Sequence, residues 1–281
     1  MNYDLHCHST ASDGVLSPAD LVRRAAEKGV DVLALTDHDD VSGLAEAAEM
    51  AASMGMGFVN GVEISVSWSG ATLHIVGLNI DPSHPVLVAG LESIQQGRYA
   101  RAEWIAQELG RHGIAGALEG AKKYAENSKL IGRTHFARFL VEQGVCKDIR
   151  TVFKKFLVRG RPGYVPHEWT TLENAINWIS ASGGQAVLAH PGRYDLKGKA
   201  MRRLLGDFKT LGGEGVEVVT GSHTPDQYIL FAELASHFDL MSSRGSDFHA
   251  PGEHGRELGG IPSLPSKCLP IWHNWNIATK N

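Results

Sequence analysis

Seven short apolar segments alternate with amphipathic segments along most of the chain, and this alternation constrains the fold more than any other feature. The intervening segments carry helix signals. In "SPADLVRRAAEKG", Ser17 suits an N-cap, Pro18 the first helical position and Gly29 the stop. Strands that alternate with helices predict a parallel α/β arrangement, and a barrel is the closure that we favour. The predicted strands are "YDLHCH", "VDVLALTDHD", "GFVNGVEISV", "ATLHIVGLNI", "QAVLAHPG", "GVEVVTG" and "LMSSRGSDFHA".

A basic region that reads as successive helices interrupts the alternation after the fourth predicted strand. From Arg98 to Arg161 there are 14 Lys and Arg residues against 6 Asp and Glu, although the whole chain has a formal net charge of −4. We therefore predict a barrel from residues 1–87 and 166–281, with an inserted helical subdomain at 88–165. A basic segment in an acidic chain indicates an anionic ligand that is bound locally, but a solvated helical surface explains the charge equally well.

The sequence also indicates where the protein works. Its polar, acid-containing start does not resemble a secretory signal peptide, and its apolar runs are shorter than the ~20 residues of a membrane span. Its three cysteines, Cys7, Cys146 and Cys268, are scattered and form no C-x-x-C pair. Reduced thiols in the cytoplasm fit this pattern better than disulfides. We therefore expect a cytoplasmic protein with no membrane association and no evident protein partner.

Histidines and carboxylates recur where the predicted strands end. Because side chains alternate across a strand, His6 and His8 project to one side of the first strand while Leu5 and Cys7 project to the other. The carboxyl ends of barrel strands converge on one face, so residues that are distant in sequence meet there. Nine candidate metal ligands occupy these ends or the loops after them: His6, His8, Asp13, His38, Glu63, His74, His190, Asp247 and His249.

These nine residues predict a metal centre. A single histidine of this kind is more often a buried, hydrogen-bonded residue than a ligand, but that explanation does not extend to nine residues at once. Mixed imidazole and carboxylate ligands suit zinc, manganese or iron rather than calcium. Nine protein ligands exceed the needs of one ion, so we expect two or three divalent ions bridged by carboxylates.

The motifs "HCHS", "LTDHD", "GVE", "AHPG" and "SDFH", together with Asp13 and His74, resemble the PHP (polymerase and histidinol phosphatase) superfamily of metal-dependent phosphoesterases. The resemblance runs from Asp4 to His249 and implies a distorted seven-stranded (β/α) barrel with a trinuclear metal site. It makes Mn²⁺ the expected metal, with Zn²⁺ or Fe²⁺ as alternatives. The implied ligand sets are His6, His8, Glu63 and Asp247 for one ion, Glu63, His74 and His190 for a second, and Asp13, His38 and His249 for a third.

The basic insert resembles one branch of that superfamily. "GRTHFARFLVEQG" and "FKKFLVRGRPGYVP" are similar to the stand-alone bacterial branch, whose members dephosphorylate nucleoside 3′,5′-bisphosphates and in some cases trim the 5′ ends of short RNA. Arginine side chains bind phosphate oxygens in a bidentate manner, so we expect the insert to hold a second, non-reacting phosphate. The candidate substrate-binding residues are Arg98, Arg101, Arg133, Thr134 and His135.

We therefore predict a metal-dependent phosphatase that removes one phosphate from nucleoside 3′,5′-bisphosphates. Metal ions in such sites lower the pKa of water from about 16 to about 7, so hydroxide is available at neutral pH. Asp13, His38 and Asp247 are candidate catalytic residues, and His223 is a candidate general acid, a surface-loop role for His223 being equally compatible with the sequence. Three different functions stay open: a 5′-to-3′ exonuclease on short RNA or DNA, a histidinol-phosphate phosphatase, and a catalytically silent metal-binding scaffold.

Overall fold

A computed structural model of the protein describes residues 1–252 and 256–277. The strands in this part of the chain are β1 (Tyr3–Asp4), β2 (Val32–Leu35), β3 (Gly57–Trp68), β4 (Ala71–Leu78), β5 (Thr170–Thr171), β6 (Gln185–Leu188), β7 (Gly215–Thr220) and β8 (Met241–Gly245). Seven of them lie side by side in the order β1, β2, β3, β4, β6, β7 and β8, and the short β5 pairs with β3. The distorted seven-stranded α/β barrel predicted from the sequence is therefore confirmed.

The first and last strands approach each other and nearly close the barrel. The backbone amide of Leu5 donates to the carbonyl of Arg244 at 3.0 Å, and the amide of Asp247 donates to the carbonyl of His6 at 2.8 Å. These bonds place the chain after β1 directly beside the chain after β8. The two segments that carry five of the candidate ligands, His6, His8, Asp13, Asp247 and His249, are thus neighbours, although they are far apart in sequence.

Helices cover the barrel and form the inserted region. Within the described residues they are α1 (Pro18–Glu27), α2 (Leu44–Met54), α3 (Pro85–Arg111), α4 (Ala117–Lys122), α5 (Arg133–Glu142), α6 (Ile149–Val152), α7 (Leu172–Ala181), α8 (Lys199–Thr210) and α9 (Pro225–His237). Helix α1 forms as its sequence predicts, because the Ser17 hydroxyl accepts from the Asp20 amide and Pro18 occupies the first turn. Gly29 follows the helix with a φ of +74°.

One strand runs against the predicted parallel direction. β4 is antiparallel to both β3 and β6, because Ser69 and Gly70 form a tight turn with φ values of +48° and +77°. His74 therefore lies in the first half of β4, opposite Ser65. The prediction that every candidate ligand lies at or just after the carboxyl end of a strand is wrong for His74, and also for Glu63, which lies inside the 12-residue β3.

Two hydrophobic cores meet along α3. Leu87 and Leu91, near its start, belong to the barrel core, whereas Ile105 and Leu109, near its end, belong to a second core within the basic region. That second core also contains Phe136, Leu140, Val152 and Leu157. The long helix therefore connects the barrel to the helical region and fixes the side chains in its middle turns between them. The predicted boundary at residue 88 falls inside α3.

The structure bears on the predicted setting of the protein in two ways. Among residues 1–252 and 256–277, no helix has both the length and the apolar character needed to cross a bilayer. Cys7, Cys146 and Cys268 are all free thiols. The cytoplasmic location stays a prediction.

Candidate active site

The nine predicted metal ligands lie together at one end of the barrel. Their ligand atoms form four overlapping groups, each within 4.8 Å: His8, Asp13, His38 and His249; His6, Glu63 and His190; His6, His8 and Asp247; and His38, Glu63 and His74. Three of these groups differ from the sets that the resemblance implies, because His8 joins Asp13, His190 joins His6, and His38 joins Glu63 and His74. The fourth group, His6, His8 and Asp247, lies within one implied set.

Glu63 occupies the centre of the cluster. Its Oε1 lies 2.9 Å from His74 Nδ1 and from His190 Nε2, and its Oε2 lies 2.9 Å from His38 Nδ1 and 3.3 Å from the Nε2 atoms of His6 and His8. Burial raises the pKa of Glu63, but the imidazoles of His74 and His38 outweigh that effect and hold the pKa well below its ordinary value. The carboxylate is therefore ionised and has two oxygens available for bridging.

The atoms of this cluster have the environment of metal ligands. Six of them are buried without a hydrogen-bond partner: His8 Nδ1, Asp13 Oδ1, His38 Nδ1, Glu63 Oε2, His74 Nδ1 and His190 Nδ1. A buried polar atom without a partner costs about 1–3 kcal/mol, and six in one cluster need a common explanation. Coordination of divalent cations provides it, since imidazole and carboxylate are the donors that zinc, manganese and iron prefer. The residues present thus fit a metal centre.

Glu217, which the sequence analysis did not single out, supports two of these ligands. Its Oε1 lies 2.8 Å from His6 Nδ1, and its Oε2 accepts a 2.6 Å hydrogen bond from the backbone amide of His190. A carboxylate on the far nitrogen of a ligating histidine fixes its tautomer and ring orientation. The sequence does contain a signal, because Glu217 is an acid inside the apolar segment "GVEVVTG".

Asp37 holds the loop that carries Asp13. It accepts from the Ser9 amide at 2.8 Å and from the hydroxyls of Ser9 and Ser12, each at 2.6 Å. Burial raises the pKa of Asp37 to about 6, although the hydrogen bonds from Ser12 and Ser9 oppose that rise. Three bonds to one buried carboxylate fix the loop after β1, so Asp13 faces His249 at 3.3 Å.

Three residues at the site have left-handed backbone conformations that side chains other than glycine rarely adopt. The φ angles are +26° at His190, +57° at Asp247 and +51° at Asp39. Such conformations cost on the order of 1–3 kcal/mol and persist only where the surroundings impose them. Their concentration around one buried cluster indicates a site selected for geometry at the expense of stability.

A cavity of about 270 Å³ opens over the cluster. Five of the nine candidate ligands line it: Asp13, His38, His74, Asp247 and His249. Arg193, another residue that the sequence analysis passed over, lies beside them and donates to Asp247 Oδ2 at 2.6 Å. The Arg193 side chain is half exposed, so its guanidinium is available to a molecule bound in the cavity over the metal-ligand cluster.

Three arginines from the basic region, Arg98, Arg101 and Arg133, also line the cavity, and we name them the arginine wall. Arg98 pairs with Asp39, its Nε lying 2.7 Å from Oδ2, and donates to Ser65 Oγ at 2.8 Å. Arg101 and Arg133 bond only to the carbonyls of Val165 and Leu157, and within the described part of the chain neither has a carboxylate partner.

This uncompensated positive charge has a direct electrostatic effect. Burial, followed by the neighbouring guanidiniums of Arg133 and Arg98, lowers the pKa of Arg101 to about 9. Burial likewise lowers the pKa of Arg133. Thr134 lies on the same wall, at the N-terminus of α5. The wall therefore favours an anion.

Two predicted site residues, His135 and His223, belong neither to the cavity lining nor to the metal-ligand cluster. His135 is fully buried behind the wall, where its Nδ1 accepts from the amide of Gly132 at 3.0 Å and closes the first turn of α5. His223 is also buried, with Nδ1 3.0 Å from the Val218 carbonyl and Nε2 accepting from the Gly192 amide at 2.9 Å. With both ring nitrogens engaged and its pKa lowered by burial, His223 is a neutral structural residue in this geometry and has no proton directed at the cavity.

Comparisons with known proteins agree with this site. A family model for the PHP domain matches residues 4–138. The chain is 53% identical over 271 residues to a 3′,5′-nucleoside bisphosphate phosphatase from Chromobacterium violaceum, covering 96% of this chain and 95% of that protein. It is 45% identical over 273 residues to a 5′-3′ exoribonuclease from Haemophilus influenzae, covering 97% and 98% of the two chains.

A solved structure shows the same fold. An amidohydrolase from Chromobacterium violaceum, with bound sulfate and no metal, superimposes with a TM-score of 0.94 at 52% identity, covering 97% of this chain and 95% of that one. The extent of these matches exceeds what a shared barrel alone produces. The chain therefore belongs to the PHP domain family and is a metal-dependent phosphoesterase.

Proposed function

We propose that the protein is a metal-dependent phosphatase that hydrolyses one phosphate monoester of nucleoside 3′,5′-bisphosphates, releasing a nucleoside monophosphate and inorganic phosphate. The observation that carries this proposal is that a metal-ligand cluster and an arginine wall line one cavity. The first suits a reacting phosphate and the second a non-reacting one. A relative that is 53% identical is named for this activity, which supports the proposal.

The nine clustered residues would hold two or three divalent ions, Mn²⁺ being our first expectation. Bound there, the ions would supply charge neutralisation for the reacting phosphoryl group and a nucleophile at neutral pH. Glu63 would bridge ions, since both its oxygens face imidazoles. Glu217 orients His6, and Asp37 fixes the loop that carries Asp13. Arg193 would donate to the reacting phosphate from beside Asp247.

The arginine wall would bind the second phosphate. Arg101 and Arg133 lack carboxylate partners among the described residues, so a phosphate dianion would complete their charge pairing. The N-terminus of α5, with Gly132, Arg133 and Thr134 at the cavity, adds the positive end of a helix dipole. A relative of the same fold contains bound sulfate, an anion of similar shape and charge, which is compatible with such a site.

A 5′-to-3′ exonuclease is the second candidate function. In a nucleoside 3′,5′-bisphosphate and at the 5′ end of a phosphorylated oligonucleotide, the same bond joins a 3′ oxygen to phosphorus, and the 5′ phosphate is the distal group. One cavity therefore suits both substrates. Relatives that are 45% identical over almost the whole chain are named exoribonucleases, which favours this activity as an additional one.

A histidinol-phosphate phosphatase and a silent scaffold both fit the structure less well. Histidinol phosphate carries one phosphate and a cationic amine, which the four cavity arginines Arg98, Arg101, Arg133 and Arg193 would repel. A silent scaffold does not need nine clustered ligands with unpaired buried atoms and strained backbone at His190 and Asp247.

A phosphate-release assay with manganese tests the proposal. The substrates are a nucleoside 3′,5′-bisphosphate, the matching 3′- and 5′-monophosphates, histidinol phosphate and a short 5′-phosphorylated RNA. We expect the highest kcat/KM with the bisphosphate and no activity after chelation. Preference for histidinol phosphate, or turnover unaffected by chelators, would contradict the proposal. Release of mononucleotides from the RNA would show that the protein also has the exonuclease activity.

A further inference from the structure

The segment 165–169, which returns the chain from the helical region to β5, lies against the arginine-bearing turns of α3. We name it the return segment. Its first carbonyl, that of Val165, accepts from Arg101 Nε at 3.2 Å. His167 packs so closely on Gly97, the residue before Arg98, that a Cβ there would lie 2.9 Å from the His167 ring. The return segment is therefore built against the same helix that presents the arginines.

Trp169, at the end of the return segment, contacts two of the cavity arginines at once. The guanidinium carbons of Arg98 and Arg101 lie 4.8 Å and 5.3 Å from its ring centroid. Both distances are within the ~6 Å range of a cation–π interaction. The backbone amide of Trp169 donates to Ser67 Oγ on β3 at 2.9 Å, and His167 packs edge-on against its ring. The backbone of Trp169 is thus anchored to the barrel, while its indole contacts the two arginines.

This contact matters most for Arg101. Arg98 is neutralised by Asp39, whereas the groups that face Arg101 are the cations Arg98 and Arg133, the rings of His167 and Trp169, the Tyr164 phenol and the Val165 carbonyl. Among the described residues, the Val165 carbonyl, the Tyr164 phenol and the negative face of the indole are thus the groups that offset the charge of this buried guanidinium. Without the indole, Arg101 would face two like charges with the Val165 carbonyl and the Tyr164 phenol as the remaining groups that offset its charge.

We propose that Trp169 is a positioning residue that holds Arg98 and Arg101 in their anion-binding arrangement before the ligand arrives. An arginine that is already ordered loses less side-chain entropy when it binds an anion. Loss of the indole therefore weakens anion binding and raises KM while kcat is largely retained. The inference rests on the proposed function for the identity of the anion, but not for the contact itself.

Three variants test this role. Trp169→Leu removes the π system, Trp169→Phe retains an aromatic face, and Trp104→Leu is the matched control, because Trp104 is an exposed tryptophan on the same helix α3. The binding measurement is calorimetric titration of inorganic phosphate into chelator-treated protein, which does not require turnover. Steady-state kinetics with a bisphosphate then separate KM from kcat, and melting temperatures report the fold.

We expect Trp169→Leu to weaken phosphate binding about tenfold, Trp169→Phe to weaken it less than about threefold, and Trp104→Leu to leave it unchanged. In an Arg101→Ala background, the further effect of Trp169→Leu should shrink to about twofold, because the main group it positions is gone. Unchanged phosphate affinity in Trp169→Leu would overturn the proposal. So would equal losses in the Leu and Phe variants with matching drops in melting temperature, since that result indicates a purely structural ring.

The same experiment distinguishes this role from direct stacking of Trp169 on a nucleobase. Inorganic phosphate has no base, so a stacking role predicts full phosphate affinity in Trp169→Leu and a loss only with nucleotides, which would overturn the proposal. If the wild-type protein fails to release phosphate from bisphosphates while Trp169→Leu still weakens phosphate binding, the proposed function fails and the positioning role stands.

Discussion

Glu63 Oε2 lies 2.9 Å from His38 Nδ1, yet neither atom has a hydrogen-bond partner. The two ligand atoms are close without the alignment of a donor and an acceptor. A divalent cation would satisfy both atoms, since imidazole nitrogen and carboxylate oxygen are donors that such ions prefer. Together with the four other unpaired atoms of the cluster, this relationship is the main structural argument for a metal centre.

Glu63→Gln tests that argument directly. The amide keeps the size of the side chain but removes its charge and one of its two acceptor oxygens. We expect at least one manganese ion per chain to be lost, because this carboxylate would serve more than one ion. Elemental analysis after manganese reconstitution measures this, with Glu214→Gln as control, since Glu214 bonds Gln185 at the start of β6. Equal metal content in both variants would contradict the assignment.

Glu217→Gln tests the support behind the ligands. The variant weakens the contact to His6 and alters the acceptor for the His190 amide. Loss of such an outer partner typically costs about 10–100-fold in metal affinity or activity, and we expect a loss in that range. Manganese titration checks the affinity, and the exposed Glu233→Gln serves as control. A Glu217→Gln protein with the manganese affinity of the control would show that Glu217 only fills space.

The pH dependence of stability offers a test of the buried His135. Burial lowers its pKa from 6.5 to about 4, so between these values the unfolded chain binds a proton that the folded chain does not. The contribution of the uncharged His135 ring to the free energy of unfolding is complete above pH 6.5. At most about 3 kcal/mol of it is lost as the pH falls toward 4. We expect His135→Asn, which keeps an acceptor for Gly132, to reduce this decline in the free energy of unfolding.

Other groups also titrate between pH 4 and pH 6.5, so the test is the difference in pH response between the wild type and the variants. Denaturant unfolding at pH 7 and pH 4.5 gives the free energies for the wild type, His135→Asn and the exposed His112→Asn. An identical pH response of all three proteins would place the ring of His135 in contact with water, contrary to the structure.

His223 is expected to affect stability and not the chemical step. His223→Gln breaks contacts to the Val218 carbonyl and the Gly192 amide, which we expect to lower the free energy of unfolding by about 2 kcal/mol. The pH profile of kcat should keep its shape, because the ring has no proton directed at the cavity. A profile that loses its basic limb, in a variant of normal stability, would restore His223 as the general acid.

The comparison of sequence and structure shows which features local patterns determine. Alternation along a strand predicts that His6 and His8 face one side, and the structure has both at the cluster. The reversed direction of β4 depends on Ser69 and Gly70, where positive φ at both positions makes a tight hairpin. The "SG" dipeptide is a turn signal, but strand periodicity, on which the prediction relied, is the same in either direction.

Contacts between distant segments explain what the sequence analysis missed. Glu217 reaches His6 across 211 positions, and Trp169 reaches Arg98 from the return segment. Nothing in the local pattern around either residue names its partner, because the contact exists only once the barrel and the helical region have formed. The position of His223 in a loop after a strand suits a catalytic role, but its contacts to the Val218 carbonyl and the Gly192 amide also form only in the folded protein and cannot be read from the local sequence.

The most direct test of the account compares one phosphate with two. A charge-assisted arginine–phosphate contact is worth about 1.5–3 kcal/mol, so Arg101→Ala or Arg133→Ala should lower kcat/KM roughly ten- to a hundredfold on a nucleoside 3′,5′-bisphosphate. On the matching 3′-monophosphate, which lacks the distal group, the loss should largely vanish. Arg111→Ala removes an exposed arginine of α3, the helix that carries Arg101, and should leave kcat/KM unchanged on both substrates. Equal penalties on the two substrates would contradict the account and leave the arginine wall a structural element.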